Sequence, residues 1–583
     1  MKAIIFSPHS YLWPHTLPEA HVVHSLRKNS IDILYVTCGE LLNSWCVPME
    51  STGENETMSA ERKKEICTWC NFYKGRIDEI FRFPKIELID FFTPEDKARM
   101  DSILNSITSE NVLDLEVDGY PIGRASLYNF FLQHKKMTQI FSVEDLPALK
   151  LHLSSSLKAF FSGARILEKF KPDSVFFYSS SYSANLVIRL QAEAKGIKCY
   201  SLFAGSNWAN RLEKMHVARK DSFTHFYDRD KLWRTKYQHL NATEESLLGA
   251  EKFIKIMLSG ESVFLYGGKS SSKSPSEIRS QFGIDENAKV VLLASSSYDE
   301  VNSANLIGAL PPSNKSLFAD QKEWIKETIE YFRKLPEVFL VIRVHPRELP
   351  NQRDNVLSPH YNSLMEILKD LPNNVKVNLP KDNVSFNDWL EVADLGLISW
   401  SSAGRDLAAW GIPFISYLDQ YSFYPRDQLG YVPETKVDYF NGIKQLLNEG
   451  WSSHRLIQAY RWLAYEMNDG VFDLSDIVDN KLEYKESILM RIIKRVLRKL
   501  NFEKPIWLFV PSMKQSKLVA ERIRTGKSVE EVLEKTRKRL KSKEELALIK
   551  KILRSVANQK FGENWQSDRI SSLRDKIFMF LNE

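Results

Sequence analysis

Short apolar runs recur along the first 420 positions, separated by stretches with helical periodicity. Lys2–Phe6, Asp32–Thr37, Ser174–Tyr178 and Lys198–Phe203 are such runs in the first half, and Val290–Ala294, Phe339–Val344, Val375–Asn378 and Leu395–Ser399 in the second. Each is the length of a strand buried on both faces. Between them, residues 18–29 place Ala20, Val23 and Leu26 on one helical face, and Ala184–Gly196 and Trp324–Leu335 repeat that spacing. Alternation of this kind predicts an α/β fold with two doubly wound domains, 1–260 and 276–480. Residues 85–165 predict mainly helix, with loops around Phe92–Pro94 and Asp118–Gly123. The Gly/Ser/Lys-rich stretch Glu261–Pro275 predicts the linker. A third segment, 481–583, predicts a helical appendage. Within it Ile488–Leu500 is apolar at 488, 489, 492, 493, 496, 497 and 500 and basic at 491, 494, 495, 498 and 499. That is a basic amphipathic helix, read either as lying on an anionic membrane surface or as packed on the protein with a solvated basic face.

Composition adds three constraints. The 43% hydrophobic and 12% aromatic content belongs to a packed globular chain. No apolar run approaches the roughly 18 residues of a spanning helix, and MKAIIFSPHS reads as a first strand, so a cytoplasmic protein is expected. The net charge of +6 is uneven: 26 Lys and Arg face 13 Asp and Glu over 481–583, leaving the rest of the chain negative. An anionic partner for the appendage follows, which would make the protein peripheral at the inner face of the plasma membrane. No nucleic acid is expected as a partner.

The candidate chemistry centres on Val341–Tyr417. VIRVHPRE ends a strand in Arg343, His345 and Arg347. Further on, ADLGLISWSSAGRDLAAWGIPFISY reads as strand, Ser401–Ser402 turn, helix and strand. Ligands of parallel sheets sit beyond the carboxyl ends of the strands. The serine hydroxyls, a helix start and the basic His345 segment there suit a phosphate or diphosphate.

The R-x-HP motif, the later D-x-x-x-S-x-SS block with its acid at Asp406, and the G-x-P strand together resemble the nucleotide-binding domain of GT-B glycosyltransferases. The likeness is greatest to those of bacterial capsule and lipopolysaccharide assembly, including the HP-motif Kdo transferases. It covers 285–475, weakens over 1–250 and is absent from 480–583. It implies two Rossmann-like domains facing a cleft and metal-independent chemistry. The donor is a nucleotide sugar, and the acceptor is a glycan or lipid-linked glycan. Arg343, His345, Arg347, Ser401 and Ser402 then hold donor phosphates, and Asp406, where Glu is commoner, meets the ribose or sugar. The loop after the first strand then carries the base. His15 is the first choice, because imidazole is matched to proton removal near neutral pH, with His9 and Glu19 as alternatives. A CDP-polyol phosphotransferase of the same motif class, or a non-catalytic assembly protein of this fold, are rival readings.

Cys38, Cys46, Cys67 and Cys70 lie close together around the polar insertion Met49–Glu61. The CTWC pair has knuckle spacing, so one structural zinc is expected, with four buried thiols as the alternative. Asp228-Arg229-Asp230 matches a D-x-D pattern but reads as an exposed helix start. Gly267-Gly268-Lys269-Ser270 and Thr525-Gly526-Lys527-Ser528 both lack the first glycine of a phosphate loop.

Overall fold

A computed structural model describes residues 1–204, 211–260, 273–310, 316–351, 355–418, 423–478, 488–499, 506–567 and 571–583. The expected linker falls almost wholly outside these residues. The chain divides into two compact units. The first comprises Met1–His225, Asn302–Ala309 and Asp469–Thr536, and the second Phe226–Val301, Leu310–Asn468 and Arg537–Glu583. This differs from the expected boundaries at 260 and 480. The segment after 225 joins the second unit, and the supposed appendage is shared between both.

The first unit holds a seven-stranded sheet made of β1 (Lys2–Phe6), β2 (Asp32–Thr37), β3 (Lys85–Glu87), β4 (Ser174–Tyr178), β5 (Lys198–Phe203), β6 (Lys214–Arg219) and β12 (Phe472–Asp473). Strands β3-β2-β1-β4-β5 are parallel, and β6 and β12 add antiparallel edge pairings. The register sets Ile4 beside Leu34 and Val175. Both faces are covered, which is why the strands read as continuous apolar runs. One face packs under the helix Leu146–Phe170 through Leu153, Leu157 and Phe160. The other packs under the helix Trp13–Lys28 and, unexpectedly, under Ser516–Thr525, through Leu17, Val23, Val519 and Ile523.

The second unit holds a five-stranded parallel sheet made of β7 (Lys289–Ala294), β8 (Val338–Arg343), β9 (Val375–Asn378), β10 (Leu395–Ile398) and β11 (Phe414–Ser416). Its order is β9-β8-β7-β10-β11. The parallel part of each sheet thus has the strand order 3-2-1-4-5, five strands of the doubly wound plan, including the point where the order reverses. Gly404 lets the helix Ala403–Ala409 approach β10: a Cβ there would come within 2.3 Å of Ile398 Cδ1 and 2.4 Å of the Tyr424 hydroxyl.

Candidate functional site

In this topology the connections from the first and fourth strands run to opposite faces, opening a crevice beyond their carboxyl ends. In the second unit that switch point lies between β7 and β10. It gathers Ser295–Ser297, Val344–His345 and Ser399–Ser402. The Ser295 hydroxyl donates to the Arg343 carbonyl (3.2 Å) and accepts from the His345 N–H (2.8 Å). Ser399 Oγ donates to Ser296 Oγ at 3.0 Å, and the Trp400 indole to the Ser297 carbonyl at 3.1 Å. His345 Nδ1 accepts the Arg347 N–H at 3.2 Å, which places the proton of a neutral ring on Nε2, as a donor. Ser401 Oγ accepts the Ala403 N–H at 3.1 Å just before the helix, while Ser402, its N-cap, is exposed and makes no side-chain cap bond.

The two arginines of the motif have other occupations. Arg343 is buried and donates to Asn378 Oδ1 and to the Val384 carbonyl, at 2.8 Å for the latter. It braces β8 against β9 and does not reach forward for phosphate, because strand alternation turns its side chain into the layer behind. Arg347 is held by Asp299 through Nε at 2.9 Å and Nη2 at 2.6 Å. Its charge is therefore matched within the protein. Asp406 accepts two bonds from Arg405 at 3.1 Å, and burial pushes its carboxyl up against the opposing pull of that guanidinium.

A buried charge network stands behind Asp406. Glu466 accepts from Arg229 (3.1 Å), Arg405 (2.9 Å) and the Trp462 indole (3.1 Å). Glu466 lies in a π-helical turn, Tyr465–Asp469, a geometry frequent at functional sites. Arg229 is 1% exposed and lies inside the helix Ser222–Thr235. The reading of Asp228-Arg229-Asp230 as an exposed helix start is thereby corrected: its central residue is a core ion-pair partner. No local pattern announces this, because the partner carboxylate is 237 positions away.

The switch point of the first unit lies between β1 and β4, where Ser7–Ser10 meet Ser179–Ser181. Ser179 has φ +56°, a strained position for a non-glycine residue and a pointer to function that the sequence does not carry. The helix Trp13–Lys28 brings His15 onto the Tyr178 ring, stacked at 3.9 Å, and His9 edge-on to Tyr182 at 6.1 Å. Burial, with Arg211 and His9 nearby, holds the His15 imidazole well below its usual range. Burial alone lowers His9 to about 3. Both are neutral at pH 7. Glu19 is fully buried, accepts from Ser7 Oγ at 2.6 Å, and is pushed up to about 8 by burial. Tyr35 donates in turn to Ser7 at 2.9 Å. Glu19 thus lies in the layer behind the loop, its carboxyl raised by burial and held by Ser7, whereas His15 lies half-buried against Tyr178.

No family model and no curated protein matches the chain. Among solved structures it is similar to the UDP-GlcNAc 2-epimerase of Neisseria meningitidis bound to UDP-GlcNAc, at 14% identity and TM-score 0.27 over 85% of this chain and 100% of that one. It is also similar to Thermosulfurimonas dismutans KpsC, a β Kdo 2,4 transferase, at 16% identity and TM-score 0.32 over 51% and 80%. A third is the spinosyn rhamnosyltransferase SpnG, at 12% identity and TM-score 0.25 over 80% and 95%. At these scores the likeness decides nothing about activity, and the fold rests on the two sheets themselves.

The four clustered cysteines do converge. Cys38, Cys46, Cys67 and Cys70 all line one cavity of about 30 Å³ beside the carboxyl end of β2, with Lys74 and Asn71. Cys38 Sγ accepts the Leu42 N–H at 3.3 Å, and the Cys46 carbonyl accepts the Met49 N–H at 2.9 Å. Burial pushes the Cys38 thiol up to about 12 and that of Cys67 to about 11. Among the described residues no group of three or more His, Cys, Asp or Glu is placed to hold a metal ion as it stands. The insertion has its own anchors: Glu56 accepts from His152 (2.8 Å) and His134 (2.9 Å), and Glu50 from Asn129 (2.8 Å).

Proposed function

We propose that the protein is a metal-independent glycosyltransferase of the GT-B type. It moves a sugar from a nucleotide-activated donor to a bacterial surface glycan of the capsule or lipopolysaccharide kind. The observation that carries this reading is the repeated strand order, with hydroxyl and imidazole groups at both switch points. The motif resemblance of the His345 and Ser401–Ser402 segments supports the donor class and the acceptor. The second unit takes the donor: His345 Nε2–H and the hydroxyls of Ser401 and Ser402 donate to its phosphates. Arg343 and Arg347 act one layer back, fixing β8 and the turn that presents His345. Asp406, held by Arg405, is the acceptor group for ribose or sugar hydroxyls. In the first unit His15, neutral and stacked on Tyr178, takes the proton of the acceptor hydroxyl. Donors preorganised around the departing phosphate supply much of the rate. The four thiols that line one cavity are the candidate ligands of a structural zinc apart from the chemistry, and they would have to close up to hold it, since no three of them are placed to do so as they stand.

Replacing His345 by Ala, which removes the Nε2–H donor, tests the donor site. Loss of one hydrogen bond to a charged phosphate costs roughly 1.5–3 kcal/mol. Binding of the matching nucleoside diphosphate, measured by calorimetry over a nucleotide panel, should weaken about tenfold or more, with an unchanged melting temperature. Unaltered affinity in the variant removes His345 from the site. Appearance of phosphorus in the product together with a polyol, rather than of a sugar alone, in turnover assays transfers the protein to the polyol phosphotransferases.

A further inference from the structure

Val478 and Val510 stand in the core of the first unit, on either side of the helix Ile488–Lys499 in the chain. Ile477, Val478, Val510 and Met513 belong to one apolar cluster and are 3% exposed or less. The Val510 side is pinned to the helix Trp13–Lys28. His24 Nε2 lies 3.1 Å from the Val510 carbonyl, Lys28 Nζ donates to the Leu508 carbonyl, and the Arg27 guanidinium sits 3.8 Å from the Trp507 ring centroid. Between these two fixed points runs the helix Ile488–Lys499, and it does not join the core. Ile488, Leu489, Ile492 and Val496 form a stripe at helical spacing and are 70, 67, 54 and 49% exposed. Among the described elements none packs extensively on it.

Of the two readings of this helix, the one in which it packs on the protein is not met among the described residues, and the stripe is open to an outside partner. Charge selects among the candidates. The helix contains no acid, and positions 491, 494, 495, 498 and 499 are all Arg or Lys. Two copies docked stripe to stripe would bring ten like charges together at the rim, which opposes self-association. A helix whose sequence puts apolar residues over about half its circumference and only Arg and Lys over the rest suits a surface that is apolar below and anionic above. We propose that Ile488–Lys499 docks the protein on an anionic lipid surface, its stripe in the acyl boundary and its arginines and lysines among the headgroups. This does not depend on the sugar-transfer reading, since binding alone reports it.

The test uses the full chain with vesicles of phosphatidylcholine alone or mixed with phosphatidylglycerol, separated by sedimentation. Binding is expected on the mixed vesicles at low salt. It should fall at least about tenfold on neutral vesicles or in high salt, where the charge attraction is screened. The double variant Leu489→Glu/Ile492→Glu should lose binding while keeping the wild-type melting temperature, because these side chains touch no core. Arg491→Gln/Arg495→Gln should weaken binding to mixed vesicles only. Indifference of the wild type to anionic vesicles at low salt overturns the proposal. So does a lowered melting temperature in the first variant, which would place the stripe in the core. A wild-type dimer abolished by that variant would assign the stripe to a second copy instead.

Discussion

Glu19 and His15 lie four positions apart on one helix, and burial acts on them in opposite chemical senses. It penalises charge in both, so the carboxyl stays protonated, pushed up to about 8, and the imidazole stays neutral. For Glu19 this has a sign that can be measured. Its folded form holds a proton that the unfolded chain releases near pH 4.5. The stabilisation is complete below that pH and is lost as pH rises toward 8, by at most about 1.4 kcal/mol per pH unit. Glu50, also pushed up to about 8, adds in the same sense. The urea midpoint of the wild type should thus fall between pH 5 and pH 8, and Glu19→Gln should flatten part of that fall. An identical slope in the two proteins would mean that Glu19 is ionised in the fold. At this scale sequence reasoning located the loop but not the burial. Glu19 and His15 look equally available on paper, and only the packing of Ser7 and Tyr35 against one of them separates their roles.

Strands were the most legible elements, because a strand covered on both faces must be apolar throughout, and such runs are hard to mistake. β1, β2, β4, β5, β7 and β8–β11 fall within about a residue of their expected places. Helix starts were less legible. The first helix begins at Trp13 rather than Pro18, since Pro14 suits a first turn and Pro18 is accommodated inside. The four cysteines line one cavity without three of them being placed to hold a metal ion, and the insertion between them is tied down by Glu56 with His134 and His152. Zinc would draw the thiolates inward and offset the burial that now keeps them protonated. About one zinc per chain is expected by elemental analysis, under the four-ligand geometry of structural sites. It should be lost, with a lower melting temperature, in Cys67→Ser/Cys70→Ser. A metal-free preparation with every thiol titratable on unfolding would leave a plain buried thiol cluster.

For the whole molecule, an amphipathic pattern says that a helix has a face to bury but not which core receives it. Val519, Ile523 and Leu533 complete the first unit, and Ile549, Ile552 and Val556 are buried in the second. A chain ended after Asn480 should therefore lose several fully buried large side chains from each unit. Each such loss costs roughly 2–5 kcal/mol, more in sum than a typical domain's total stability. Expression of that truncation should give insoluble protein, whereas the point variants in Ile488–Lys499 stay folded. A soluble, cooperatively melting truncation would show that the sequence-based boundary at 480 is a real one.

The interleaving of the two units also bears on how the protein is made. Domains commonly fold in order as they emerge from the ribosome. Here the first unit is not complete until Thr536 has been synthesised, although its first six strands are finished by Arg219. The early sheet must wait, with part of one face uncovered, while more than three hundred further residues are added. During that interval the nascent chain offers apolar surface and a bare strand edge at β6, the place where β12 later pairs. Slow translation late in the message prolongs this exposure, so yield in a foreign host should depend on holdase chaperones more than on the stability of the finished protein.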